Sequence, residues 1–267
     1  MTPAQAQEVA EQLECPVELL GLLPQILQDF EELGSDADTA IELLRRLDSH
    51  DLEPGPASRV LDLACGKGGL AVPIAQNFGC QVHGVDLMPA FIEAANDAAR
   101  EAGVEKLCRF VVKDAHDALT EAENHRPHDG LIYAATGLFD GPADTMANLR
   151  RAVRPGGWIF IDDGFVADAD VAARAPEHYN GYLDREATRT GLDTHGDRIL
   201  VEYIYARGQL AAAHHREAAL IRQRGEEVAV QYPEHAELIR RFVADQVAAY
   251  EFLSKDFCSA AWIIARS

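Results

Sequence analysis

Val60-Leu61-Asp62-Leu63-Ala64-Cys65-Gly66-Lys67-Gly68-Gly69-Leu70 is the stretch on which the reading of this chain turns. It begins as a short apolar run with an acid inside it, the pattern of a strand buried on both faces. It ends in three glycines within four residues, followed by Leu70-Ala71-Val72, which opens a helix. Glycine is needed where a backbone turns sharply and comes close to a ligand. The helix that follows presents unpaired N–H groups and the positive end of its dipole. A strand, a glycine loop and a helix in that order predict a ligand crevice beyond the carboxyl end of the strand.

Outward from this stretch the chain alternates. Strands are predicted at 80–86, 109–113, 130–134 and 158–162, with helices over 69–78, 89–102 and 143–153. Pro89 suits a first helical turn, and Pro155-Gly156-Gly157 marks the turn into the fifth strand. Short crossovers between apolar strands give a doubly wound, mostly parallel α/β sheet. Before this core, Pro16 to Leu33 reads as one helix, and Asp36 or Asp38 caps a second through Leu47. Glu53-Pro54-Gly55-Pro56 is a loop. After the core, 168–190 reads as mostly helical, 198–205 as a strand, 209–224 and 234–253 as helices, and 260–264 as a final edge strand. The expected fold class is therefore α/β, a seven-stranded sheet with an N-terminal helical extension and helices added near the C-terminus.

Composition narrows the function. The 267 residues carry 44 acids against 24 lysines and arginines, a net charge of −20. Nucleic acid as a partner would require a basic face, and lysine occurs only at 67, 106, 113 and 255. The five cysteines form no CxxC pair and are odd in number, which argues against a disulfide framework or zinc site and for a reducing cytoplasm. No apolar run is long enough for a membrane span, and the first residues lack a signal-peptide pattern.

The glycine loop alone has two readings. Gly66-Lys67-Gly68-Gly69-Leu70-Ala71 also fits the G-x-G-x-x-A dinucleotide fingerprint, and Asp86, twenty residues on, suits ribose in either case. The wider set decides between them. Asp62 to Gly68 resembles the first motif of the class I S-adenosylmethionine (SAM)-dependent methyltransferases, D-x-G-x-G-x-G, with Ala64 in place of its first glycine. Residues 82–88 resemble the second motif, Val111-Val112-Lys113-Asp114-Ala115 the third, and 149–158 the turn into strand five. Together these span about 59–164.

The resemblance implies roles. Ala64, Gly66 and Gly68 would form the loop against the methionine part of SAM, and Asp62 would orient it and meet the amino group. Asp86 would accept from both ribose hydroxyls, a geometry that a carboxylate suits. Leu87 and Met88 would flank the adenine, Asp114 would accept from its amino group beside Ala115, and Thr136 would line the sulfonium end. The expected cofactor is SAM, with S-adenosylhomocysteine as product and a small molecule as methyl acceptor. No metal is required.

Methyl transfer from a sulfonium is an in-line displacement in which the cofactor brings the activated group. The protein aligns the partners and excludes water. A base is needed only for a protonated nucleophile. Substrate-side candidates are Phe139, Asp163, His178, Tyr179 and Tyr182, with Tyr179 and Tyr182 on one face if that segment is helical. Ordinary packing is the competing reading for this group, and more strongly for Tyr203 and Tyr205. His214 and His215 diverge on a helix, and His125 and His128 are read as lying in a loop. Cys65 sits at a helix start, which lowers a thiol pKa, but it is read as a small packing residue. The expected organisation is a helical cap over 1–50, the SAM-binding core over 51–165, and substrate-covering helices with the last strands over 166–267. A homodimer contact through the added helices is open. The remaining alternatives are an NAD-dependent oxidoreductase, for which no Tyr-x-x-x-Lys pair is present, and a SAM-binding protein that does not methylate.

Overall fold

Parallel strands joined by helical crossovers make up the centre of the molecule, as the apolar runs require. In the computed structural model, all residues are described except Met1, 31–34, Thr136, Glu177, His178, Asn180 and Arg207. The strands are β1 (Arg59–Leu63), β2 (Gln81–Asp86), β3 (Cys108–Val112), β4 (His128–Tyr133), β5 (Val153–Val166), β6 (Arg198–Ile204) and β7 (Phe257–Ala265). They form one sheet in the order β3-β2-β1-β4-β5-β7-β6. The β1–β2, β2–β3, β1–β4 and β4–β5 pairings are parallel. The chain moves outward from β1 to β3 and then returns to β4 on the other side of β1. That reversal is where an open α/β sheet holds its ligand.

The helices are α1 (Pro3–Gln12), α2 (Leu23–Ile26), α3 (Ala37–Arg45), α4 (Ala71–Phe78), α5 (Pro89–Glu101), α6 (Ala115–His125), α7 (Gly141–Leu149), α8 (Ala169–Arg174), α9 (Arg185–Leu192), α10 (Ala211–Gln231) and α11 (Ala236–Lys255). Two compact units result. One contains residues 32–163, 188–203 and 260–267, and the other 1–31, 164–187 and 204–259. The first holds most of the sheet. The helix α3, capped by Asp36, lies in this sheet unit, where Arg45 Nη2 donates to Asn77 Oδ1 of α4 at 2.8 Å. In the other unit α10 and α11 pack closely where Gly225 meets Val243, with no room for a Cβ on Gly225. Tyr179, Tyr182, Phe252 and Phe257 form an aromatic cluster there with Val166, Val171 and Ala249.

Several expectations are corrected. The stretch from Pro16 is not one helix. A 3₁₀ turn at Val17–Leu19 precedes α2, because Pro24 fits only a first helical turn. Leu19, Leu20, Leu23 and Leu27 are buried nonetheless. The segment 168–190, expected to be mostly helical, holds the short helix α8 and the start of α9 among its described residues. The strand at 260–264 is not at the edge: β7 lies between β5 and β6. Ala260 to Ile264 are all buried, as an inner strand requires, whereas β6, half-buried along most of its length, is the edge. The helix α6 was not foreseen. It lies between the third and fourth strands, and its last residue is His125, while His128 opens β4 and is buried.

Packing across β4 and β5 explains one glycine. Gly130 is the register partner of Trp158, and a Cβ on Gly130 would lie 2.2 Å from the buried indole ring. Neither the ring nor the paired backbone has room to give. Gly130→Ala is expected to lose on the order of 1–3 kcal/mol of stability, read as a lower urea midpoint. An unchanged midpoint would mean that the indole relocates without cost.

Candidate functional site

The residues singled out from the motifs come together in the sheet unit, at the carboxyl ends of three adjacent strands. Asp62 is near the end of β1, followed by Ala64, Gly66 and Gly68. Asp86 ends β2, followed by Leu87 and Met88. Asp114 and Ala115 follow β3.

The loop after β1 is tightly wound. Ala64, Gly66 and Gly68 have φ values of +51°, +52° and +82°. Ala64, where the motif has its first glycine, thus adopts a left-handed conformation, at a cost of about 1–2 kcal/mol for an L-residue. Gly68 is required on space as well, since a Cβ there would press on Phe110, Ala95 and Val72. Cys65 N–H donates to Val85 O at 2.9 Å and ties the loop to β2. The Cys65 side chain is buried close to Gly84 and Phe110. Burial, then the Asp62 and Asp86 carboxylates, push its thiol well up, so it is a packing residue despite its place before a helix.

Asp86 holds the site together. Its Oδ2 accepts from Gly66 N–H at 3.0 Å and its Oδ1 from Met88 N–H at 2.8 Å. With these bonds the carboxylate is oriented, and it retains acceptor capacity for a ligand. Burial raises its pKa, and the backbone N–H groups of Met88, Gly66 and Leu87 oppose that rise. Asp62, 3 % exposed, is pushed up to about 8 by burial and then by the charge of Asp86. Met88 is buried and Leu87 half-buried.

Asp114 is the N-cap of α6. Its Oδ1 accepts from His116 N–H at 2.8 Å and Asp117 N–H at 3.3 Å. Both bonds use one oxygen, which leaves Oδ2 for a ligand. Ala115 is buried in the first turn. Three neighbours were missed from sequence. His116 meets Phe139 edge-on at 5.5 Å, and the tilted ring of Tyr133 also lies 5.5 Å from Phe139. Val112, the register partner of Asp86, is 52 % exposed. Their signal was available: an apolar residue ending a strand, and an Asp cap with Ala115, Ala118, Leu119 and Ala122 at helical spacing behind it.

Thr136 and His178 lie outside the described residues. Tyr179 and Tyr182 fall in the other unit, where their rings stack at 5.6 Å. Tyr179 is 7 % exposed and packs on Phe252 and Phe257. Tyr205 is also buried, and His214 is held by Ser254 Oγ at 3.0 Å.

The proton on Asp62 has a consequence for stability. The folded pKa lies above that of an unfolded aspartate, so the native state binds the extra proton between roughly pH 4 and 8. That group's contribution is most favourable at low pH and is lost as pH rises through the window. Asp62→Asn removes it, so the variant is expected to gain stability over the parent as pH rises towards 8. A stability difference independent of pH in denaturant titrations would contradict this.

Comparison with known proteins agrees with the geometry. Residues 60–157 match the family model described as a methyltransferase domain. The geranyl diphosphate 2-C-methyltransferase of Streptomyces lasalocidi is 37 % identical over 146 residues, covering 48 % of this chain and 46 % of that protein. The chain spans 39–46 % of the length of this and two other curated relatives. Among solved structures, YjhP of Escherichia coli superposes with a TM-score of 0.73 at 17 % identity, covering 92 % of this chain and 99 % of that one. A SAM-dependent methyltransferase of Geobacter sulfurreducens, solved with S-adenosylhomocysteine, gives 0.72 at 20 % identity, with 92 % and 98 % covered. Residues 60–157 are thus similar to a methyltransferase domain, and the chain has the α/β fold of these solved structures.

Proposed function

We propose that this chain is an S-adenosylmethionine-dependent methyltransferase acting on a small-molecule acceptor. One observation carries the reading: the Asp86 carboxylate is fixed by the loop it faces and keeps acceptor capacity for a vicinal diol. The donor set fits SAM around it. Asp86 would hold the ribose, and Asp114 Oδ2 the adenine amino group. Val112, Leu87 and Met88 would supply apolar surface to the adenine ring. The backbone of Ala64, Gly66 and Gly68 would admit the methionine part, with Asp62 placed for its amino group. SAM, when bound, supplies an electrophilic methyl on sulfur and leaves as S-adenosylhomocysteine.

The protein's task is to position and to exclude water. Phe139, with His116 and Tyr133 against it, forms an aromatic ledge after β4 suited to an apolar acceptor face. Thr136 would line the sulfonium end. Asp163, on β5, acts on the buried Tyr133 phenol and helps to push its pKa up, so Tyr133 stays neutral. Tyr179 and Tyr182 fit aromatic packing better than proton transfer, because Tyr179 is buried among rings. The relatives named for geranyl diphosphate and for a phytyl naphthoquinone support a small, largely apolar acceptor class. A net charge of −20 disfavours nucleic acid as acceptor. Among the described residues no helix is long and apolar enough to cross a membrane. The five free cysteines suit a reducing cytoplasm. An NAD-dependent oxidoreductase would use Asp86 in the same way, but the domain match and the other motifs favour SAM.

Two measurements test the proposal. Incubation with methyl-labelled SAM and a panel of apolar metabolites is expected to label an acceptor. Saturable SAM binding with no acceptor labelled would leave a binding protein rather than a methyltransferase. Asp86→Ala is expected to weaken SAM binding by on the order of 2 kcal/mol, about thirtyfold, because two hydrogen bonds are lost. Unchanged affinity would remove Asp86 from the site.

A further inference from the structure

His128 is a buried and His83 a half-buried polar ring outside the cofactor site. His83 is in β2 and His128 opens β4, and their ring centroids are 6.3 Å apart with a 30° tilt. His83 Nε2 and both ring nitrogens of His128 are inaccessible and make no hydrogen bond of normal geometry; the backbone of Ala152 lies near enough to His128 to favour its proton, against the larger effect of burial. Buried polar atoms without partners are rare and costly. The face they occupy follows from the strand. Gly84 lies against Phe110, and Phe110 lies against Ala95 of α5 and Val72 of α4. Side chains alternate along a strand, so His83 points to the opposite face, which α6 covers and where Glu121 faces it.

We propose that the His83–His128 pair is an acid-sensitive joint that loosens α6 from the sheet when it takes up protons. The charges around the pair point one way. Arg59 of β1 acts on both rings, and Arg109 of β3 and Lys113 after it act on His83. Against them stand Glu121 of α6 and Asp129 of β4. Glu121 is paired with Lys113, and Asp129 with Arg154. Arg126, after α6, adds a further positive charge beside Arg59. In the 3₁₀ turn at Arg150–Ala152, which packs on α6, Arg150 and Arg151 are held by Asp197 and Glu123. An added proton therefore meets a desolvated, net positive surrounding. Burial and then these cations lower both imidazoles, His128 to about 4.

The sign follows from linkage. Each ring is neutral in the native state, while an exposed histidine titrates near about 6.5. The stability this provides is complete above about pH 6.5 and is lost as pH falls towards the native value. At pH 5 each histidine held neutral favours opening by up to roughly thirtyfold. Opening of α6 would carry away its first turn, where Asp114 and Ala115 sit, so acid would reach the adenine side of the cofactor site without touching Asp86.

Hydrogen exchange of the full chain, read by mass spectrometry at pH 7.5 and 5.0 and corrected for intrinsic rates, tests this. At pH 5.0 Glu121 and Asp129, both lowered, remain ionised, and the raised Asp62 and Asp86 change stability in the opposite direction. Segment 115–125 is expected to exchange at least tenfold faster at pH 5.0. In His83→Gln/His128→Gln the acceleration is expected to disappear, and in His214→Gln to remain, since that buried histidine lies in α10 of the other unit. Equal protection of 115–125 at both pH values would overturn the proposal, as would acceleration that survives in the double variant. Should the double variant not fold, histidine C2–H titration of the parent decides: rings that protonate together with the exchange of 115–125 support the joint, and rings that titrate near 6.5 with α6 still protected refute it. The inference does not depend on which cofactor the site takes.

Discussion

The bond from Gly66 N–H to the Asp86 carboxylate is the constraint on which the site is built. It ties the loop after β1 to the end of β2, and the second bond, from Met88, fixes the start of α5 to the same carboxylate. Two neighbouring strands and the helices that follow them thus share one acid. Because both donors are backbone groups, the only side-chain rotamer that enters the geometry is that of Asp86 itself. The cost is a second acid, Asp62, buried beside the first and driven to hold its proton. A site that places two carboxylates together in a desolvated corner is preorganised for a ligand that brings hydroxyls to one and a cationic amine to the other.

The rest of the sheet unit serves that corner. Cys65, Gly84 and Phe110 pack beneath the loop with no space left for a Cβ on Gly84, so the loop rests on a rigid floor. On the far side of β1, Gly130 admits the Trp158 indole and allows β4 and β5 to approach. Asp197, fully buried, takes Arg150 in a two-point ion pair and also accepts from the Ser267 N–H and hydroxyl, fastening the segment before β6 to the end of the chain. These are packing devices that hold the sheet unit together.

What the sequence disclosed and what it hid have physical reasons. The strands β1 to β4 were legible because apolar runs bounded by glycine and acid have few other solutions. Asp62, Asp86 and Asp114 were legible as positions, but the pairing of Asp86 with two backbone groups and the capping role of Asp114 depend on three-dimensional approach. The helix α6 escaped because its core face is mostly alanine, which carries little hydrophobic contrast. The place of β7 inside the sheet escaped because order among non-consecutive strands leaves no local mark, although the unbroken run Ala260-Ala261-Trp262-Ile263-Ile264 was the available hint. Tyr179 and Tyr182 read as a pair that could line a site, whereas packing decides their environment: their rings stack within an aromatic cluster.

The central claim is that the corner formed by Asp62, the glycine loop and Asp86 is built for SAM. Calorimetric titration of the intact chain with SAM, S-adenosylhomocysteine and NAD tests it most directly. Micromolar binding of the first two without binding of NAD is the expected result. Binding of NAD without SAM would contradict the account and give the glycine loop to a dehydrogenase.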